Sequence, residues 1–331
     1  MLITSIFTSL LFIFFHKYIV SILKIYDKPD NFRKKHLIPT PITGGILVYL
    51  NFLIFILFLN LSNDFNLEFL NIEKNFTIKN LNLLFCFSSL FFFMGLIDDK
   101  YTINSTLKFF ISLVFVLLFL NLDNSFLISK VQFSIINYTF FLNSFSSILI
   151  TSLCFLLFIN ALNMYDGINL QSSTYSLFLI FFLIFNDYYS LLLYIIFIPL
   201  VFFIYLNYLG KSFLGDGGTY LISFLLGAIF IKFYNYASVP VDTIVLLMII
   251  PGIDMFRLFF IRIYNGRSPF NADRNHIHHM LIDRFKYNNS IILLNLINLI
   301  ILFFALYYNY SLLIILLLVI GYFILINKIA K

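Results

Sequence analysis

The stretch LLFCFSSLFFFMGLIDDKYTI, residues 83–103, decides the class of fold. An apolar run without a single charge ends abruptly in two adjacent acids, Asp98 and Asp99. Similar apolar runs recur along the whole chain of 331 residues, which is 61% hydrophobic and only 11% charged. A soluble domain usually carries about 25% charged residues, and one core cannot hide this much apolar surface from water. The composition therefore predicts an all-α polytopic integral membrane protein.

Eleven apolar segments are predicted to be transmembrane helices, and residues 1–331 are predicted to form one transmembrane domain. The segments lie near residues 2–20, 43–60, 81–97, 106–122, 145–163, 173–186, 189–208, 218–235, 241–262, 290–307 and 310–328. The 173–186 segment is the shortest of them. Pro251 and Gly252 interrupt the ninth segment, where we expect a kink or a break.

The uneven distribution of Lys and Arg between alternating loops predicts the orientation in the membrane. One set of loops, near residues 21–42, 98–105, 164–172, 209–217 and 263–289 and at the C-terminal tail, contains 13 Lys and Arg residues. The opposite set contains 3. Because cytoplasmic loops are enriched in positive charge, the N-terminus is predicted to lie outside and the C-terminus in the cytoplasm. The net charge of +6 reflects this bias and an affinity for anionic lipid headgroups, and no basic face is large enough for nucleic acid.

The unusual polar clusters all lie on the predicted cytoplasmic side. They are RKKH (33–36) with PTPITGG (39–45), the acid pair, NALNMYDG (160–167), FLGDGG (213–218) and GRSPFNADRNHIHH (266–279). These loops are far apart in sequence but follow spans that end on the same side. They are therefore predicted to form one active site on the cytoplasmic loops.

Carboxylates and amides in these clusters suggest phosphate and metal chemistry. Asp216 lies between glycines, where backbone N–H groups can approach a phosphate and a carboxylate can bind a divalent cation. Asn160, Asn163 and Asp166 are spaced three apart and share one helix face. The alternatives are structural: a plain turn between helices at Asp216, helix capping by the amides, and a helix end in water at the acid pair.

Three of the five histidines, His276, His278 and His279, lie within four positions and follow Arg274. Histidines beside an arginine make a suitable collar for a nucleotide diphosphate. A polar loop at the membrane interface and a structural zinc site are the two alternatives, although no cysteine accompanies the histidines. The basic residues 33–36 could equally be a stripe that only fixes the topology.

Taken together, these motifs resemble the polyprenyl-phosphate N-acetylhexosamine-1-phosphate transferases, the glycosyltransferase family 4 enzymes that include WecA and, more distantly, MraY. The similarity extends over roughly residues 27–284, the motifs occur in the family's order, and the His-x-His-His form resembles the WecA-like branch. The resemblance implies transfer of an N-acetylhexosamine 1-phosphate, N-acetylglucosamine foremost, from a UDP-sugar to undecaprenyl phosphate at the bacterial inner membrane, with release of UMP. It implies a magnesium cofactor, with manganese as a substitute. The expected partners are both substrates, membrane lipids and a second copy in a homodimer.

Roles are carried over position by position. Asp216 resembles a metal ligand and Asn163 a second one, Asp98 and Asp99 resemble acids that orient or deprotonate the lipid phosphate, and Asp166 resembles an acid of the substrate site. The candidates for substrate binding are Lys35, His36, Asn160, Asn169, Arg274, His276, His278 and His279.

One departure separates the chain from the family pattern. The family usually reads D-G-x-D-G-L after the asparagines, whereas residues 166–171 read DGINLQ. Asn169 replaces the second aspartate and Leu170 replaces a glycine. An amide carries no charge, which argues against an acid at this position. The alternative functions are an MraY-type transferase acting on a muramyl-pentapeptide nucleotide, a transporter of lipids or anions, and an inactive relative.

Overall fold

The computed structural model describes residues 1–29, 38–61, 76–136, 138–188, 190–237, 239–269 and 273–329. These residues are mostly helical. The α-helices are α1 (Leu2–Phe14), α2 (His16–Leu23), α3 (Gly44–Leu61), α4 (Ile78–Tyr101), α5 (Ser105–Leu122), α6 (Ser144–Tyr165), α7 (Gln171–Phe185), α8 (Leu191–Tyr208), α9 (Gly215–Tyr236), α10 (Val241–Leu247), α11 (Ile249–Tyr264), α12 (Ile277–Phe285), α13 (Tyr287–Tyr307) and α14 (Ser311–Ile329). Two short antiparallel strand pairs join β1 (Tyr26–Asp27) to β2 (Thr40–Pro41) and β3 (Lys130–Gln132) to β4 (Thr139–Phe141).

Each of the eleven predicted segments is helical, but helix length supports fewer spans. Within the described ranges, eight helices are long and apolar enough to cross a membrane, and ten spans result if the bent pairs α1–α2 and α10–α11 each count as one. Helix α7 has 15 residues, which at the α-helical rise reach about 22 Å, short of a hydrocarbon core of about 30 Å. The all-α polytopic fold is therefore confirmed with eight to ten spans, and the predicted eleven are not. The orientation stays a prediction.

The predicted break in the ninth segment is present but lies three residues before the proline. Helices α10 and α11 meet at Met248 with a bend of 75°. Pro251 has no N–H to donate to the carbonyl four residues earlier, that of Leu247, so continuing α10 through it would lose one helical hydrogen bond. The proline falls instead in the first turn of α11, where its missing N–H needs no partner. The bend of 71° between α1 and α2 has no comparable proline.

Helix α9 is the centre of the fold. Within its span 94% of the residues are buried, compared with 17% for α14 at the periphery. The reason is in the sequence, since α9 is apolar on all sides and begins with small residues. A Cβ atom on Gly45 of α3 would lie 2.5 Å from the Cα of Gly218, and one on Gly95 of α4 would lie 2.4 Å from the nitrogen of Gly217. The glycines thus let three helices touch backbone to backbone, which brings the end of α4 and the beginnings of α3 and α9 together.

A second, smaller apolar core supports the predicted histidine cluster. It consists of buried side chains of α12, α13 and α14: Ile277, Leu281, Leu294, Tyr322 and Ile326. Helix α12 begins at Ile277, directly after His276. The core therefore fixes where the histidines lie relative to the rest of the fold.

Candidate active site

Asp99 caps the beginning of α9. Its Oδ1 accepts a hydrogen bond from the backbone N–H of Asp216 at 2.9 Å, and its Oδ2 accepts one from Gly217 at 3.1 Å. The residue that precedes the helix, Leu214, has no side chain that can cap these N–H groups. Both oxygens of Asp99 are thus engaged in holding the GDGG turn against α4. Its predicted role as an acid toward the lipid phosphate stays a prediction.

Asp98, Lys108 and Asp216 meet beside this cap. The Nζ atom of Lys108 lies 2.5 Å from Oδ2 of Asp98 and 3.6 Å from Oδ2 of Asp216. The other oxygen of Asp98 accepts a hydrogen bond from the N–H of Ile103 at 2.6 Å, which fixes the carboxylate in place. We call Asp98, Asp99, Asp216 and Lys108 the acid cluster. It combines three carboxylates with one ammonium group where α4, α5 and α9 begin or end.

Lys108 was not among the site residues predicted from the sequence. A lone lysine near the end of an apolar span is usually a marker of topology. Its distance of ten residues from Asp98 was the available signal, because a short loop between two spans returns the chain to the same membrane face.

Asn163 connects α6 to the acid cluster. Its Nδ2 donates hydrogen bonds to Oδ1 of Asp216 and to Oγ1 of Thr219, both at 3.0 Å. The structure thus brings the two predicted metal ligands, Asn163 and Asp216, into contact. Because the amide nitrogen is the atom that faces Asp216, Asn163 orients this carboxylate.

Asp166 follows the last residue of α6 and accepts a hydrogen bond from the hydroxyl of Ser172. Burial is the main cause that raises the pKa of Asp166 to about 7, and the negative charges of Asp99 and Asp27 act in the same direction. The hydrogen bond from Ser172 opposes this shift. Asp166 therefore changes its charge near neutral pH, as a group that exchanges protons at a substrate site must.

The two remaining amides of this region have internal partners. The Nδ2 of Asn160 donates to the carbonyl of Leu156 within the same helix at 2.7 Å. The Nδ2 of Asn169 donates to the carbonyl of Asn207 at the end of α8, at 3.1 Å. These contacts fit the structural alternative, and the predicted binding of substrate by Asn160 and Asn169 stays a prediction.

Asp254 holds the segment 273–279, which we call the histidine loop. One oxygen accepts hydrogen bonds from the hydroxyl of Tyr322 at 2.6 Å and from Nη2 of Arg257 at 2.9 Å. The other oxygen faces Nδ1 of His276 at 2.8 Å. The N–H of Ile277 at the start of α12 also reaches the carboxylate, at 3.1 Å. Asp254 and Arg257 lie three residues apart on one helix face, a spacing at which their charges can neutralise each other. The structure shows that this acid also holds the loop.

His278 brings the histidine loop into contact with the turn that follows α6. A Cβ atom on Gly167 would lie 1.9 Å from Nε2 of His278, so only glycine leaves room for the ring. His278 is 1% exposed, and its ring stacks on His276 at 5.4 Å and contacts His279 at 4.2 Å. Burial, followed by the charge of the neighbouring histidines, holds the pKa of His278 well below its usual value. The ring is therefore neutral at physiological pH.

Ion pairs order the rest of the loop. Arg262 donates to Oδ2 of Asp273 at 2.8 Å and to the carbonyl of Pro269 at 2.8 Å. Nη2 of Arg274 lies 3.8 Å from Oδ1 of Asp283 in α12. Two predicted substrate-binding residues, Lys35 and His36, lie outside the described residues.

No group of three or more His, Cys, Asp and Glu side chains within the described ranges is arranged to hold a metal ion. For the histidines this removes the support that a zinc site would need there.

Comparison with known proteins confirms the family resemblance. Residues 81–234 match the model of glycosyl transferase family 4. This region contains the acid cluster and the turn at Asp166, and the histidine loop lies beyond it.

Undecaprenyl-phosphate alpha-N-acetylglucosaminyl 1-phosphate transferases are similar over most of the chain. The protein of Escherichia coli O157:H7 is 28% identical over 82% of this chain and 73% of its own length. That of Salmonella typhi is 28% identical over 82% and 73%, and that of Yersinia pestis 25% identical over 83% and 74%. Residues 81–234 are therefore a glycosyl transferase family 4 region.

Proposed function

We propose that the chain transfers N-acetylglucosamine 1-phosphate from UDP-N-acetylglucosamine to undecaprenyl phosphate and releases UMP. The observation that carries this proposal is the meeting of Asp98, Lys108 and Asp216 at the ends of apolar helices. The names of the relatives supply the two reactants, since they state undecaprenyl phosphate and N-acetylglucosaminyl 1-phosphate transfer. A charged site at the end of membrane-spanning helices suits a reaction between a lipid and a soluble nucleotide.

The reaction joins two anions. An oxygen of the lipid phosphate forms a bond to the phosphorus that carries the sugar, and the bond from that phosphorus to the bridging oxygen breaks, so that UMP leaves with this oxygen. The site must reduce the repulsion between the phosphates. Lys108 supplies positive charge, and Asp98 fixes its ammonium group by a contact of 2.5 Å. A phosphate oxygen needs little activation as a nucleophile, so positioning and charge stabilisation are the main tasks of the residues.

Magnesium fits the donors of the acid cluster. In enzymes that act on phosphates, Mg²⁺ usually binds one or two carboxylates together with substrate oxygens. The carboxylates of Asp216 and Asp98 lie on either side of one ammonium group, a position that already favours positive charge. Asp216 would hold the ion, with Asn163 orienting its carboxylate. When bound, magnesium would neutralise charge on the phosphates, and manganese could take its place with the same oxygen donors.

The histidine loop is proposed to hold the diphosphate and sugar of the nucleotide. The contact between His278 and Gly167 connects this loop to Asp166. His279 and Arg274 are half-buried, and they are the side chains of the loop that we propose to contact the ligand. We place the site at the cytoplasmic face of the bacterial inner membrane, in keeping with the Lys and Arg distribution and with the supply of nucleotide sugars in the cytoplasm.

The test is UMP release by the purified protein in the presence of undecaprenyl phosphate, magnesium and one UDP-sugar at a time. We expect the fastest release with UDP-N-acetylglucosamine and slower release with UDP-N-acetylgalactosamine. Release only with the muramyl-pentapeptide nucleotide would favour the MraY-type alternative. Absence of UMP with every nucleotide would contradict the proposal.

A further inference from the structure

The turn between α6 and α7 contains a strained residue where the family pattern has a glycine. Leu170 has φ 71° and ψ −19°, the left-handed conformation that residues with a Cβ rarely adopt. A glycine adopts it without strain. Because leucine carries a Cβ atom, this conformation of the turn needs support from neighbouring residues.

Asn207, in the last turn of α8, holds this turn from the other side. Its Oδ1 accepts a hydrogen bond from the N–H of Leu170 at 2.6 Å, and its carbonyl accepts one from Nδ2 of Asn169 at 3.1 Å. The Nδ2 of Asn207 donates to the carbonyl of Ser212 at 2.7 Å and lies 3.5 Å from Oδ1 of Asn169. Asn207 is 4% exposed, so these hydrogen bonds form largely without competition from water.

The second departure from the family pattern complements the first. At position 169 the contact with the carbonyl of Asn207 requires a donor, which an amide provides. An aspartate would place a carboxylate oxygen against that carbonyl oxygen. Asn169 and Leu170 are therefore a matched pair of changes, in which the added amide hydrogen bond supports the conformation that leucine disfavours.

We propose that Asn207, paired with Asn169, is a positioning residue that holds Leu170 in its left-handed conformation and thereby fixes Asp166 and Gly167 in the active site. Leu170 is close to Asp166 and Gly167, because residues 166–170 form one turn. Gly167 in turn is in contact with His278. Through Ser212 the same side chain also reaches the segment that leads into Asp216. Asn169 then acts as a structural partner and not as a substitute for a catalytic acid. This inference rests on the proposed function for its kinetic test.

The kinetic test compares Asn169→Asp in two backgrounds, Leu170 and Leu170→Gly. With Leu170, we expect Asn169→Asp to raise KM for UDP-N-acetylglucosamine about tenfold, as the loss of a buried hydrogen bond predicts, and to change kcat less. With glycine at position 170, the turn no longer depends on the amide, and KM should return to within about threefold of the wild-type value. An equal rise in both backgrounds, or higher activity of Asn169→Asp alone, would overturn the inference.

A second measurement does not depend on activity. The midpoint of thermal unfolding should fall further for Asn207→Ala when residue 170 is leucine than when it is glycine, because the two positions are coupled. Asn186→Ala is the control, since Asn186 follows α7 at the end opposite Leu170, and its Nδ2 donates to the carbonyl of Phe182. It should leave KM unchanged. Strictly additive midpoints would contradict the coupling even in an active enzyme. If the midpoints were coupled but the protein released no UMP, the positioning role of Asn207 would stand and the proposed function would be rejected.

Discussion

The acid cluster and the histidine loop differ in how fully their carboxylates are balanced by donors and positive charges of the protein. In the acid cluster, the carboxylates of Asp98 and Asp216 share the ammonium group of Lys108, both within 3.6 Å of it, and Asp99 caps the neighbouring helix. In the histidine loop, the single carboxylate of Asp254 has four donors, from Arg257, Tyr322, His276 and the N–H of Ile277. The first region has more carboxylates than ammonium groups, an excess of negative charge that a bound cation can neutralise. The second is neutralised within the protein and serves as a support.

The two regions also differ in what holds them. Backbone contacts among Gly45, Gly95, Gly217 and Gly218, together with the cap by Asp99, hold the helices of the acid cluster in place, so the side chain of Asp216 is not needed for this. Side-chain hydrogen bonds fix the histidine loop. A substitution in the first region should therefore reduce turnover more than stability, and a substitution at Asp254 should do the reverse.

The largest expected effect on turnover belongs to Asp216→Asn. A neutral amide binds a hard cation far more weakly than a carboxylate, and we expect kcat for UMP release to fall about 10²–10³-fold. The thermal midpoint should stay near that of the wild type, because the cap provided by Asp99 bonds the backbone of residue 216 and not its side chain. Asp187→Asn, an exposed acid beyond α7, is the control and should retain full activity. Unchanged kcat in Asp216→Asn would remove this carboxylate from the reaction.

Lys108 provides the next largest effect. Lys108→Met leaves Asp98 and Asp216 without their shared ammonium group and should lower kcat/KM about 10²-fold. Lys108→Arg keeps the charge and should lose much less. Raised magnesium should restore part of the activity of Lys108→Met if a cation can occupy the vacated position. A purely topological lysine would tolerate methionine without kinetic loss, provided that the chain still inserts.

The sequence predicted that the acids of the acid cluster meet, but it did not predict the contacts that they make. Each apolar run ended in polar residues on one side, so the meeting of Asp98, Asp99, Asn163 and Asp216 followed from topology alone. The part played by Lys108 did not follow, because a single charge near the end of a span has a sufficient explanation in orientation. The use of Asp99 as a cap depends on the approach of two helix backbones, which the local sequence does not encode.

The histidine loop and the bends were less predictable. The tyrosine that contacts Asp254 lies 68 residues further along the chain, in a helix that reads as a plain apolar span. Apolar runs identified nearly every helix, and they showed that the segment of α7 is the shortest. They still counted it as a span, although its 15 residues are too few to cross the membrane. The left-handed conformation of Leu170 could not be predicted from the sequence either, because it is visible only in the backbone angles.

Asp254→Asn should reduce the stability of the protein more than its turnover, in contrast to Asp216→Asn. Removing the negative charge leaves Arg257 buried without its partner, and we expect the free energy of unfolding to fall by about 3–5 kcal/mol. Tyr322→Phe removes one hydrogen bond to the same carboxylate and should cost about 1 kcal/mol. Thermal unfolding in detergent measures both. If Asp254→Asn reduced kcat as strongly as Asp216→Asn while its stability stayed unchanged, Asp254 would belong to the chemistry and the contrast between the regions would be wrong.

The last expected effect is a pH dependence of stability at Asp166. Its pKa of about 7 in the folded protein lies above the ordinary carboxyl value, so the folded state binds this proton more tightly than the unfolded state. The resulting stabilisation is full below the ordinary pKa of the carboxyl group and is lost as the pH rises through about 7. The thermal midpoint of the wild type should therefore fall more steeply with rising pH than that of Asp166→Asn. Parallel pH profiles would show that Asp166 keeps an ordinary pKa.

The most direct test of the account follows the phosphorus atom that carries the sugar. UDP-N-acetylglucosamine labelled with ³²P in this second phosphate is incubated with the purified protein, undecaprenyl phosphate and magnesium, and the products are separated into lipid and aqueous phases. Transfer of a sugar 1-phosphate predicts label in the lipid phase and unlabelled UMP in water, with both products strongly reduced in Asp216→Asn. Sugar-bearing lipid formed while the label stayed in water as UDP would contradict the account, because the bond between the two phosphates would not have been broken.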